Sequence, residues 1–179
     1  MSALRSLTRI STLVAAVLPC GGPLEAGREP ISHDRALNAY DRGVVQRVRA
    51  RAVVKLEGPE CGKLLTDFTD GGGRTLESNL RTLGLSAAEY LLQISFLDGS
   101  RLPACRTLEV IMATTPGLPR VFVCPAGAGK VTSRLSRMEF ERGSVAEAMV
   151  IHEMLHTLGL GENPPTTFEI TDRVRERCR

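Results

Sequence analysis

The sequence predicts an α+β domain in which a small mixed sheet packs on an N-terminal helix, a central helix and a C-terminal helix. Apolar residues recur at helical spacing from Asp34 onward, and the segment from Val145 to Leu158 contains neither glycine nor proline. Two apolar, β-branched runs, residues 107–115 and 120–124, flank a turn rich in proline and glycine. The chain has 179 residues, so we expect one domain.

The N-terminus has the layout of a secretory signal peptide. Arg5 and Arg9 precede an apolar run from Ile10 to Leu18, and small residues follow this run. The run is too short to span a bilayer as a helix. We therefore expect residues 1–22 to be removed and the protein to be secreted or periplasmic, with no stable membrane span. An uncleaved anchor or a buried helix is the alternative interpretation of the same pattern.

The cysteine content favours the same compartment. If Cys20 leaves with the signal peptide, an even number of cysteines remains, enough for two disulfides. Three pairings are open, and Cys178 at the chain end is expected to join Cys61 or Cys124. A lipid anchor at Cys20 is disfavoured because Pro19 stands where a small residue is expected. The four remaining cysteines are Cys61, Cys105, Cys124 and Cys178.

The rest of the chain divides into an extended lead-in, residues 23–33, and a single domain, residues 34–179. The net charge of +3 is small and falls further when the two N-terminal arginines are removed. The small net charge therefore does not indicate a protein that binds nucleic acid. The first helix carries several arginines, which we interpret as its solvated face rather than as a partner surface. The sequence carries no signal for an oligomeric state.

Local signals predict the elements between the first helix and the two strands. Gly58 and Pro59 end the first helix, and Ser86 is a candidate N-cap after a break at Gly84. The expected elements are a short helix at 61–68, helices within 76–92, and a strand within 91–100 that ends at the Asp98-Gly99 turn.

The glycine-rich stretch PAGAGKVTS, residues 125–133, does not fit a phosphate-binding loop. That pattern requires a glycine where Cys124 stands and a serine or threonine where Val131 stands. We therefore interpret the stretch as an ordinary glycine-rich loop.

The central helix has a predicted start and a predicted end. Ser144 and Glu147 have the spacing of a capping box, which would satisfy two free N–H groups at the helix start. Gly159 follows the last apolar position and offers the left-handed conformation that ends many helices. The segment between them is expected to make about four turns.

This helix carries a metal-binding pattern. His152 and His156 are four residues apart and share one face, at the spacing with which two imidazoles bind one zinc ion. Glu153 lies about 100° round the helix axis, beside that face. A carboxylate there can take a proton from a water molecule whose pKa a zinc ion lowers, and can deliver it to a leaving amine. The pattern predicts Zn²⁺ as the cofactor and Glu153 as the catalytic residue.

A catalytic zinc site needs a third protein ligand and an open fourth position. Glu162 is the first candidate, because the two glycines before it let the chain turn back toward the metal. Glu169 and Asp172, on the predicted C-terminal helix, are the alternatives, and Thr166 with Glu169 predicts a capping box at the start of that helix. The remaining histidine, His33, lies far back in the lead-in.

The segment HEMLHTLGLGE, residues 152–162, resembles the zincin metallopeptidases, and within them the metzincin pattern HExxHxxGxxH/D. The matching residues are His152, Glu153, His156 and Gly159. The sequence departs from the pattern at Glu162, which stands in the place of the last histidine or aspartate. Metzincins also carry a downstream methionine turn, whereas Met154 is the last methionine here. Thermolysin-like zincins take a glutamate of the following helix as third ligand, which would be Glu169.

The resemblance implies a zincin-like fold and an exported, zinc-dependent metallopeptidase that hydrolyses peptide bonds. Its peptide or protein substrate would lie extended along an edge strand, for which residues 120–124 are the candidate. The alternative is a non-catalytic, exported zinc-binding or protein-interaction module with a zincin-like fold. An exported inhibitor or immunity protein stabilised by disulfides is a third possibility, and it would hold no metal.

Overall fold

The computed structural model describes residues 35–127, 130, 132–162 and 164–179. The predicted signal peptide, the lead-in, Cys20 and His33 lie outside the described residues. The described chain is a mixed α+β structure with a small mixed sheet, as the sequence predicts. The helices are α1 (Ala39–Leu56), α2 (Pro59–Gly62), α3 (Leu64–Asp67), α4 (Leu76–Leu83), α5 (Ala87–Gln93), α6 (Arg134–Glu141), α7 (Gly143–Thr157) and α8 (Thr167–Arg177). The strands are β1 (Ser95–Asp98), β2 (Met112–Thr114) and β3 (Arg120–Val123).

The sheet has the order β1-β3-β2, with β1 parallel and β2 antiparallel to β3. The predicted hairpin between the second and third strands is confirmed. The prediction that residues 120–124 form an edge strand is wrong, because β1 and β2 pair on either side of β3. Strand order depends on pairing between distant segments, and the strand's own sequence does not carry it.

The second strand is shorter than the predicted 107–115. It covers only Met112–Thr114, and a 3₁₀ turn at Ala104–Arg106 precedes it. The guanidinium of Arg134 donates hydrogen bonds to the carbonyls of Thr107 and Val110. These carbonyls therefore accept from a side chain instead of a neighbouring strand, and the pairing of β2 with β3 begins only at Met112.

Helix α7 occupies the centre of the domain. It packs against α1, α6, α8, β2 and β3, and its residues Val150, Ile151, Met154 and Leu155 are fully buried. Helix α1 packs on α5, α6 and α7. A helix surrounded in this way must be apolar on most faces, so the polar groups that it does carry need specific partners.

The predicted start of α7 is wrong in its detail. The helix begins at Gly143 with no side-chain cap, and the carbonyl of Arg142 accepts from the N–H groups of Val145 and Ala146. Helix α6, which the sequence did not reveal, ends only two residues earlier at Glu141. The carboxylate of Glu147 does not cap the helix and instead accepts a hydrogen bond of 2.6 Å from Arg51 Nε.

Two other predicted caps are confirmed. Thr166 and Glu169 form a complete capping box at the start of α8. Ser86 caps α5, with Glu89 completing a second box. These signals are local, so the sequence alone was sufficient to find them.

The arginines of α1 have partners within the chain. Arg47 and Arg51 both pair with Glu139 of α6, at 2.8 and 3.1 Å. Lys55, one turn further on, lies 3.4 Å from Glu147. The two arginines are about half-exposed and Lys55 is less exposed than they are, and the three side chains link α1 to α6 and α7.

The four described cysteines form two disulfides, Cys61–Cys178 and Cys105–Cys124. This selects one of the three possible pairings and joins the C-terminus to the end of α2. Two disulfides are compatible with an oxidising, exported location. In the part of the chain that the structure describes, no helix combines the length and apolar character needed to cross a bilayer.

Candidate metal centre

Three side chains converge beside the C-terminal half of α7. The Nε2 atoms of His152 and His156 lie 3.0 Å apart. Glu162 Oε1 lies 3.7 Å from the first of these atoms and 3.2 Å from the second. Among the described residues, this is the group of histidine, cysteine and acidic side chains whose donor atoms are close enough to share one metal ion.

The separations of the three donor atoms match a tetrahedral ion of the size of zinc. Zinc–nitrogen and zinc–oxygen bonds of about 2.0–2.2 Å place neighbouring tetrahedral ligands about 3.3–3.6 Å apart. The three separations, 3.0, 3.2 and 3.7 Å, bracket that value. Two imidazoles and one carboxylate leave one of four tetrahedral positions without a ligand from the described residues.

Both imidazole rings are oriented by contacts at their other nitrogen. His156 Nδ1 lies 2.7 Å from the carbonyl oxygen of Leu160. Because a carbonyl only accepts, Nδ1 must carry the proton, and the lone pair is left on Nε2. His152 Nδ1 lies 3.1 Å from the hydroxyl of Thr171 on α8, which can accept in the same way. Such contacts fix the tautomer and ring orientation of metal-binding histidines.

Burial keeps His152 in its neutral form. The residue is 2 % exposed. Burial disfavours the imidazolium, and the neighbouring His156 disfavours it further, so the pKa of His152 falls to about 4 although Glu162 opposes this. At neutral pH its ring therefore has a lone pair available for a metal ion.

Glu162 reaches the two histidines from the segment that follows α7. Gly159, with φ of +106°, turns the chain at the helix end, as the sequence predicts. Thr167 Oγ1 donates a hydrogen bond of 2.6 Å to Glu162 Oε1. Partial burial acts to raise the pKa of Glu162, but the Thr167 hydrogen bond and the two histidines outweigh it, and the pKa is lowered. The Glu162 side chain is 39 % exposed, whereas the two histidine side chains are buried, so Glu162 is the solvent-facing member of the group.

Glu153 lies on the sheet side of the group. Thr114 Oγ1, on β2, donates a hydrogen bond of 2.7 Å to Glu153 Oε2. Burial raises the pKa of Glu153, while the Thr114 hydroxyl and His156 act against that rise. Glu153 is not one of the three converging ligands. The carboxylate is thus a buried group beside the candidate metal position, held by the neighbouring strand.

The alternative third ligands are engaged elsewhere. Glu169 Oε2 accepts hydrogen bonds from the backbone N–H and the hydroxyl of Thr166, at 2.7 and 2.9 Å. Asp172 is 78 % exposed and lies 3.8 Å from Arg175. Of the three carboxylates considered from the sequence, the structure brings only Glu162 to the histidines.

Three elements hold the C-terminal end of α7 through its last carbonyl groups. The N–H of Gly117, in the turn between β2 and β3, donates to the carbonyl of His156 at 3.0 Å. Tyr90 on α5 donates to the carbonyl of Thr157 at 3.1 Å. Asn79 on α4 donates to the carbonyl of Leu158 at 2.9 Å. Carbonyls at a helix end lack partners within the helix, so these donors satisfy them and fix the position of the site.

Several of these supporting residues were not found from the sequence. Thr114, Thr171, Tyr90 and Asn79 lie between 19 and 79 positions from the groups that they contact. No motif links them to the histidines. The one available signal was the polar position Thr114 within the predicted strand, two residues after a buried methionine on the same face.

Comparisons with known protein families, with curated proteins and with solved structures found no match to this chain.

Proposed function

We propose that this protein is an exported zinc-dependent metallopeptidase with a zincin-like fold. The observation that carries the proposal is that Glu162, from the segment after α7, converges with His152 and His156 beside Glu153 of the same helix. The donor set supports zinc, since imidazole nitrogen and carboxylate oxygen are its common ligands in catalytic sites. The Nε2 atoms of both histidines and the carboxylate oxygen of Glu162 lie 3.0–3.7 Å apart, which also supports a shared cation.

Zinc, when bound, would supply a water molecule of lowered pKa and polarise the carbonyl group of the scissile peptide bond. Glu153 accepts a proton from the attacking water through the carboxylate oxygen that Thr114 leaves free. It then delivers that proton to the nitrogen of the leaving amine as the carbon–nitrogen bond breaks. The products are a new carboxylate terminus and a new amino terminus.

The substrate is proposed to be an extended peptide or a flexible protein segment. Strand β2 is an edge of the sheet and carries Thr114, which contacts Glu153. An extended peptide added to this edge would run beside the metal group. Edge strand β2 therefore replaces residues 120–124 as the proposed substrate-binding strand.

The alternative, a non-catalytic zinc-binding module, is favoured by one observation. His152 and His156 are 2 % and 6 % exposed, and closed sites are typical of structural zinc. The open fourth position and the buried carboxylate beside it favour catalysis, because a structural zinc site uses four protein ligands and needs no base.

Glu153→Gln separates the two functions. The variant keeps the size of the side chain and its ability to accept from Thr114, but it cannot take up a proton. We expect it to retain zinc and to lose about 10²–10⁴-fold in the rate of cleavage of a denatured protein such as casein. Glu141→Gln, on an exposed pair of α6, is the matched control and should leave both properties unchanged.

Wild-type protein that binds zinc but cleaves no substrate in a mixed peptide library would favour the non-catalytic module. Equal cleavage by wild type and Glu153→Gln would contradict the proposed role of Glu153.

A further inference from the structure

Asn79 connects the glycine-rich loop Asp70–Arg74 to the turn that follows α7. Its Nδ2 donates a hydrogen bond of 2.9 Å to the carbonyl of Leu158 and another of 3.0 Å to Asp70 Oδ2. Asn79 is partly buried and lies on α4, more than 70 residues from the histidines in sequence. Its side-chain amide thus hydrogen-bonds to both segments, which are far apart in sequence.

Asp70 is itself fixed, so it can orient Asn79. Its Oδ1 accepts from the backbone N–H groups of Gly72 and Arg74, at 2.8 and 3.0 Å. Its Oδ2 accepts from Arg74 Nε at 3.2 Å in addition to Asn79. A carboxylate held by four donors has little rotational freedom, and the amide that it binds is held in one orientation.

The turn after α7 is constrained at three successive residues. Leu158 is held through its carbonyl by Asn79. Gly159 packs against Asp70 so closely that a Cβ at this glycine would lie 3.1 Å from Asp70 Cβ. Leu160 accepts from His156 Nδ1 at 2.7 Å. The segment that leads to Glu162 therefore starts from a fixed position.

We propose that Asn79, oriented by Asp70, is a positioning residue that raises zinc affinity by fixing the turn from which Glu162 reaches the metal group. This rests on the proposed zinc site. Glu162 is the most exposed of the three ligands, at 39 %, so it depends most on the backbone that carries it. Fixing this backbone before binding removes an entropic cost that the metal would otherwise have to offset.

The test is the zinc affinity of the full chain, measured by competition with a chromophoric chelator at neutral pH. Asn79→Ala is expected to weaken zinc binding by about 10-fold or more, as removal of groups that orient metal ligands commonly does. Ser86→Ala is the matched control, because it removes a helix cap on the neighbouring α5 without touching the turn. It should stay within about twofold of wild type in zinc affinity.

A double-mutant cycle with Glu162→Ala shows whether Asn79 acts through Glu162. If it does, Asn79→Ala weakens zinc binding by less than about twofold in the Glu162→Ala background. An equal loss in both backgrounds overturns the inference and makes Asn79 a general support of α7. Wild-type affinity in the single Asn79→Ala variant overturns it as well.

Two further outcomes are distinguishable. If Asn79→Ala does not fold, Asp70→Asn serves instead, and we expect at least about a threefold loss of zinc affinity from its weaker hold on Asn79. Unchanged affinity in that variant overturns the inference while the zinc site stands. Absence of zinc binding in wild-type protein overturns the proposed zinc site, and the inference with it.

Discussion

Thr114 Oγ1 donates a hydrogen bond of 2.7 Å to Glu153 Oε2 and so joins the edge strand β2 to the helix that carries both histidines. Thr114 pairs with Val121 across the sheet, and Met112 and Val123 form the next pair on the same, buried face. Alternate residues of a strand face the same side of the sheet, so the side chain of Thr114 lies on the buried face that packs against α7. A polar side chain on an otherwise apolar face satisfies a buried carboxylate.

Removal of this hydroxyl should destabilise the fold. Thr114→Val keeps the shape of the side chain but leaves Glu153, which is 5 % exposed, without its donor. We expect a loss of about 1–3 kcal/mol in the free energy of unfolding of the metal-free protein in urea. Thr114→Ser should retain most of the stability. Equal stability of the valine variant and wild type would show that the hydrogen bond contributes nothing.

Asp70 should make the stability depend on pH in the acidic range. Hydrogen bonds from the Asn79 side chain, and then from the backbone of Arg74, lower its pKa to about 2, whereas an aspartate in an unfolded chain has a pKa of about 3.9. Because the folded pKa is the lower one, the carboxylate stabilises the fold above about pH 4, and this contribution is lost as the pH falls toward about 2.

The measurement is urea unfolding of metal-free wild type and Asp70→Asn from pH 2 to pH 6. The difference in unfolding free energy between the two proteins should be largest near pH 6 and shrink below pH 4. A difference that does not vary over this range would refute the assigned hydrogen bonds.

Glu147 should contribute more to stability than an ordinary surface acid. It accepts from Arg51 at 2.6 Å, lies 3.4 Å from Lys55, and its side chain is 9 % exposed. We expect Glu147→Gln to lower the free energy of unfolding by about 1–2 kcal/mol, less than a fully buried pair because Arg51 is half-exposed. Glu141→Gln, in an exposed pair with Arg137, should cost about 0.5 kcal/mol or less. Similar losses in both variants would argue against a special role for Glu147.

The two disulfides should differ in their effect on stability. Cys61 and Cys178 are 117 positions apart, whereas Cys105 and Cys124 are 19 apart. The longer loop restricts the unfolded chain more, so replacing Cys61 and Cys178 by serine should cost about 1–2 kcal/mol more than replacing the other pair. Unfolding of the two double variants in urea gives the comparison. The reverse order would mean that chain entropy does not dominate here.

The parts of the structure that sequence alone could predict are those set by local spacing. Helix α7, the turn at Gly159 and the caps at Ser86 and Thr166 depend on residues within a few positions of each other. The grouping of Glu162 with the histidines also follows from a short segment. The helix and the turn after it bring Glu162 near the histidines, whereas the contacts of Asn79 and Asp70 with that turn come from distant segments.

The parts that sequence could not predict depend on distant contacts. The spacing of Ser144 and Glu147 fits a cap, but Arg51 and Lys55, about 90 positions away, compete for the glutamate. Helix α6 is short and mostly polar, and only Leu135 and Met138 face the core, so its apolar pattern is too brief to predict a helix. The central place of β3 likewise follows from pairing with two separate strands.

We propose that His152, His156 and Glu162 bind one zinc ion. The most direct test is the metal content of the full chain, measured by mass spectrometry of metals after purification without a histidine tag. We predict about one zinc per chain for wild type and a large loss of bound zinc in His156→Ala. Wild-type protein with no bound zinc, even after incubation with excess zinc at neutral pH, would contradict the proposed zinc site.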